Sequence, residues 1–66
     1  MEFLLNGRAM AIDNSLTIAG LVAERGLNPE TIVVECNLAI VAREAWASVI
    51  LKPGDKVEII AFVGGG

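Results

Sequence analysis

The strongest alternation of apolar and polar positions lies at the end of the chain. Val57, Ile59, Ala61 and Val63 alternate with Lys56, Glu58, Ile60 and Phe62. Alternation sends successive side chains to opposite faces, so Lys56–Val63 is predicted to be a strand with one set facing a core. The other set turns from charged to apolar towards the C-terminus. Ile60 and Phe62 are therefore expected in an exposed apolar patch beside the chain end, available to a partner. A second run, "TIVVEC", is β-branched and reads as another strand, with Ile32, Val34 and Cys36 on one face.

The beginning of the chain reads as a hairpin. Met1–Leu5 and Arg8–Ile12 flank Asn6-Gly7, a pair that tolerates positive φ at both positions. The period then changes. Ile18, Leu21 and Val22 fall at helical spacing behind Thr17, whose hydroxyl suits an N-cap, and Gly26 suits the left-handed residue beyond the helix end. A short helix is expected over Thr17–Arg25. Pro29 closes the connection to the next strand. Asn37-Leu38 reads as a turn, Ala39–Ala42 as a short strand, and "REAWASV" as a helical turn or loop with Trp46 packed down as a plug. Pro53-Gly54 suits a type II turn. Five strands and one main helix make an α+β arrangement, a sheet covered on one face by the helix. The domain is expected over 1–63 and a flexible glycine tail over 64–66.

Composition adds an expectation of partners. Of 66 residues 55% are hydrophobic. A chain this short buries only roughly 60% of its unfolded surface, so some apolar area is expected to meet another protein. The net charge is −3. With no basic stripe and no aromatic RNA-binding motif, nucleic acid is not an expected ligand. No apolar stretch approaches the ~20 residues needed to span a bilayer. The start lacks the marks of a signal peptide, and the cytoplasm is the expected compartment.

Little in the chain suggests catalysis. There is no His and no Tyr, and one Cys. A lone cysteine without histidine makes no zinc site, and no serine has a base to activate it. Cys36 is read as a small apolar filler rather than a nucleophile, because no neighbour in sequence would lower its pKa. The carboxylates are read as a solvated surface. The remaining chemistry is at the end: Gly64, Gly65 and Gly66 carry a carboxylate clear of the last strand. Without side chains they can thread a narrow channel in another protein's active site.

"TIAGLVAERGL", "VVECN", Trp46, "LKPGDKVEII" and "FVGGG" occur in the order seen in ThiS-type sulfur carrier proteins of thiamin biosynthesis. The chain resembles that family over essentially its whole length. The resemblance implies a ubiquitin-like β-grasp fold, a mixed sheet of four to five strands on one main helix. It implies a protein co-substrate rather than an enzyme, with no bound cofactor. An activating enzyme, using ATP and magnesium, would adenylate the Gly66 carboxylate. A sulfur donor protein would convert it to a thiocarboxylate for thiazole synthase, with Gly65 and Gly66 as the family's terminal pair. Two relatives in chemistry end the same way: the small subunit of molybdopterin synthase, which tends to be longer, and ubiquitin-like modifiers that form isopeptide bonds. A plain interaction domain with an irrelevant tail is the third alternative.

Overall fold

Asn6 and Gly7 adopt φ of 50° and 83°, the left-handed pair that matches the twist of a tight hairpin. They join β1 (Glu2–Leu5) to β2 (Arg8–Ala11), which run antiparallel from Glu2↔Ala11 to Leu5↔Arg8. The computed structural model describes residues 2–12 and 15–62. Met1, Val63 and Gly64–Gly66, all assigned above to the first strand, last strand or tail, lie outside the described residues, as do Asp13 and Asn14 of the turn cluster.

Helix α1 spans Ile18–Glu24, with Thr17 and Arg25 as its caps. The Thr17 hydroxyl accepts from the Gly20 N–H at 3.0 Å. At the other end the Gly26 N–H donates to Ala23 and the Leu27 N–H to Val22. That is the crossed pair of bonds of a Schellman turn, and Gly26 at φ 66° supplies its left-handed residue. Ile18, Leu21 and Val22 are buried, as their spacing requires.

After α1 comes a short 3-10 turn, Pro29–Thr31, with the Asn28 side chain accepting from Glu30 N–H. It takes Thr31 out of the following strand, so β3 is Ile32–Cys36. Asn37 and Leu38 turn the chain with φ of 54° and 71° into β4 (Ala39–Val41). Arg43–Ser48 forms a longer 3-10 segment. Trp46 is buried there, and its indole N–H donates to the Val41 carbonyl at 2.9 Å, which satisfies the one polar atom of the plug. The Pro53-Gly54 turn, Gly54 at φ 85°, leads into β5 (Lys56–Ala61).

The sheet order is β2-β1-β5-β3-β4. β5 lies at the centre, parallel to β1 and antiparallel to β3. One face packs on α1. Phe3 and Leu5 from β1, Ile32 and Val34 from β3, Val57 from β5, and Ile18, Leu21 and Val22 from α1 make its core, closed by Ile12, Trp46 and Leu51. The last strand, β5, is thus the middle strand of the fold.

Candidate functional site: the C-terminal strand and its surroundings

β5 is pinned towards β3 up to its last residue and towards β1 as far as Ile59. Towards β3, its register runs from Cys36↔Val57 to Ile32↔Ala61, and the Phe62 N–H then donates to Thr31 C=O at 2.7 Å. Towards β1, the Asn6 N–H donates to Val57 C=O. One step further β1 has ended, and the Asn6 side chain takes over. Its Oδ1 accepts from Ile59 N–H at 2.9 Å and its Nδ2 donates to Ile59 C=O at 3.4 Å. The carboxamide extends the ladder in place of another peptide. Asn37 does the same near the start of the strand, its Oδ1 accepting from Lys56 N–H at 2.9 Å. Its Nδ2 donates to Asp55 Oδ1 at 3.1 Å.

On the outer sheet face, Ile60 and Phe62 are 47% and 63% exposed. Ile60 sits opposite Val33, and Ile40 on β4, 71% exposed, sits opposite Glu35. Glu35 and Glu58 face one another across the β3–β5 pair. The face is thus an apolar surface with an acidic centre. The expected separation of the two sets of β5 side chains holds: Val57 and Ile59 pack towards the core while Glu58, Ile60 and Phe62 point away. Gly64, Gly65 and Gly66 lie outside the described residues.

Cys36 is half-buried against the core on the edge towards Asn37. Burial, with the Asp55 carboxylate as a second cause, pushes its thiol above the usual range. Thiolate is the nucleophilic form, so this environment makes Cys36 a weaker nucleophile than a free thiol. No buried polar or charged side chain occurs among the described residues. Nor does any cluster of His, Cys, Asp and Glu suited to a metal ion. Among the described residues no helix is long and apolar enough to cross a membrane. On the helix side a groove of 460 Å³ runs between α1 and the Trp46 segment, lined by Ala19, Ala23, Leu27 and Trp46 with Arg43 and Glu30 at its margins.

A mixed five-stranded sheet wrapped on one helix, with the C-terminal strand at its centre, is a ubiquitin-like β-grasp domain. The family model for the ThiS family matches residues 3–66, and the chain belongs to that family. The crystal structure of the thiamine biosynthesis protein ThiS from Geobacter metallireducens superposes with a TM-score of 0.84 at 33% identity, covering 100% of both chains. The sulfur carrier protein ThiS of Bacillus subtilis is 40% identical over 50 residues, 76% of each chain. A thiazole synthase from Paramagnetospirillum magneticum is 39% identical over 66 residues, which are all of this chain and 20% of that protein. The chain thus spans only a fifth of the length of that relative.

Proposed function

We propose that the Gly66 carboxylate is the working group of this carrier. The supporting observation is the central position of β5, which brings the chain to the surface at Phe62, four residues before the carboxylate, with three glycines between Val63 and the end. In this reading an activating enzyme binds ATP and magnesium, and a Gly66 carboxylate oxygen attacks the α-phosphorus. Pyrophosphate leaves. The terminal sulfur of a donor-protein persulfide then attacks the acyl carbon, AMP leaves with the former carboxylate oxygen, and a thiol reductant cleaves the S–S bond of the acyl disulfide, taking the donor's sulfur into a new disulfide. The resulting thiocarboxylate is a better nucleophile at neutral pH than the carboxylate, and it passes its sulfur to thiazole synthase.

The domain's part is to present and to dock. Ile60 and Phe62 supply the apolar contact beside the tail, and the glycines supply reach without bulk. The thiazole synthase whose sequence includes a region similar to the whole chain supports the assignment of that enzyme as the acceptor. Cys36, with its raised pKa, has no part in the transfer. The test is reconstitution: purified carrier, activating enzyme, ATP, magnesium and a sulfur donor, followed by intact mass. An oxygen-to-sulfur exchange at Gly66 is the expected product. Attachment of the chain to lysine residues of other proteins would instead identify a modifier.

A further inference from the structure

Basic residues are scarce in this chain, five against eight acidic ones. Two of the five, Arg8 and Arg25, line the same groove of 490 Å³, and among the described residues no carboxylate lines it with them. The groove follows from how the elements end. α1 stops at Glu24 and the Schellman turn carries the chain off, so the helix does not reach the last residues of β5. β1 stops at Leu5, and Asn6 covers the backbone only as far as Ile59. What remains is an apolar floor of Leu27, Ile59 and Ala61 beside the buried Leu5. Arg8 comes from the start of β2 and Arg25 from the helix end, and both are exposed.

The two faces at the end of β5 therefore differ in sign. The outer face carries the Glu35–Glu58 pair with Ile60 and Phe62, while Lys56 on the same face lies at the opposite, starting end of the strand. The groove on the core side carries two guanidiniums and, among the described residues, no acid. A guanidinium keeps its positive charge at any working pH and pairs with a carboxylate through that charge. Opposite signs on the two sides of one strand also fix which way round a partner sits, since the reversed pose would set like charges together.

We propose that this groove receives an acidic segment of the activating enzyme, an aspartate or glutamate held by Arg8 and Arg25 with an apolar neighbour on the Leu27–Ala61 floor. The inference rests on the proposed function and names a contact within it. Gly66 is four residues beyond Phe62, and four extended residues span at most about 14 Å. A protein that holds the carboxylate is therefore close enough to grip both sides of the end of β5.

The experiment is ATP–pyrophosphate exchange by purified activating enzyme, with carrier concentration and sodium chloride both varied. It compares the wild type with Arg8→Gln/Arg25→Gln and Arg8→Lys/Arg25→Lys. For the glutamine pair the KM for carrier is expected to rise about tenfold, the loss of two exposed ion pairs within their usual range of strength. Its kcat should change far less, and its KM should depend less steeply on salt than that of the wild type. The lysine pair, which keeps the charge, should recover most of the affinity. An unchanged KM in the glutamine pair overturns the assignment while leaving adenylation of Gly66 intact. Equal losses in the two pairs overturn it as well, because charge would then not be what is recognised. No exchange with wild-type carrier overturns the proposed function and this contact with it.

Discussion

Asn6 and Ile59 are 53 positions apart, and the side chain of the first closes both backbone bonds of the second. The first hairpin is thereby tied to the strand that leads to the C-terminus. Asn6→Gly keeps a residue that accepts φ of 50° but removes the carboxamide. The loss of two exposed bonds is expected to cost about 1–2 kcal/mol. Urea unfolding measures it, together with faster amide exchange at Ile59. An unchanged midpoint with unchanged exchange would mean that water replaces the carboxamide without loss.

Leu38 holds φ 71° at the tip of the β3–β4 hairpin and is 90% exposed. A left-handed conformation costs an ordinary L-residue roughly 1–2 kcal/mol, and its side chain recovers almost nothing through burial. Leu38→Gly is expected to stabilise the domain by about 1 kcal/mol, part of the relief being offset by the greater freedom of glycine in the unfolded chain. Thermal unfolding of the two proteins in parallel checks it. A lower midpoint for the glycine variant would show that the strain is absent in solution.

Cys36 gives a pH signature. Its folded-state pKa lies above the unfolded one, so the folded protein keeps the proton to higher pH. Its contribution to stability is fully present below the unfolded thiol pKa of about 8.5. It is lost as pH rises from there through the folded value. Wild type should therefore lose stability relative to Cys36→Ala as the pH is raised across that window, and alkylation of Cys36 at pH 8 should be slower than that of a free thiol. Cys36→Ala itself should cost on the order of 1 kcal/mol at neutral pH through its small cavity. It should still accept sulfur. A folded alanine variant that cannot be thiocarboxylated would make Cys36 part of the transfer.

Phe62 is expected to be an anchor. Replacing it with Asp removes an exposed aromatic beside the tail and adds a charge to a face that already carries Glu35 and Glu58. Binding to the activating enzyme and to thiazole synthase should weaken by about 2 kcal/mol, read by calorimetric titration, with thermal unfolding little changed. Ile60→Asp should act in the same direction. Full affinity in both variants would move the docking surface elsewhere.

Local pattern made much of this domain legible. The alternation in β5 separated Val57 and Ile59 from Glu58 and Ile60, and Asn6-Gly7, Thr17 and Gly26 marked their turn and caps because each acts on neighbours a few residues away. The 3-10 turn at Pro29 was not read from the sequence, which placed Thr31 in the next strand because its β-branched side chain continues the "TIVVEC" run. Nor was the sheet order, since the placement of β5 between β1 and β3 is decided by packing between segments some fifty residues apart. The same holds for the second task of Asn6 and Asn37, whose side chains reach a strand that local sequence cannot place. Arg8 and Arg25 are far apart in the chain and come to line one groove only where α1 and β1 both stop short. Leu38 gave no sign of its left-handed backbone, because leucine is a poor choice for it and Asn37 alone marked the turn.

The most direct test of the Gly66 assignment removes Gly65 and Gly66 and measures two quantities on the same protein. The expected result is an unfolding temperature close to that of the full chain, since glycines bury no side chain, together with pyrophosphate exchange at background and no oxygen-to-sulfur mass change after incubation with enzyme and donor. A truncated chain that is activated and thiocarboxylated as well as the full one would contradict the assignment of the working carboxylate to Gly66.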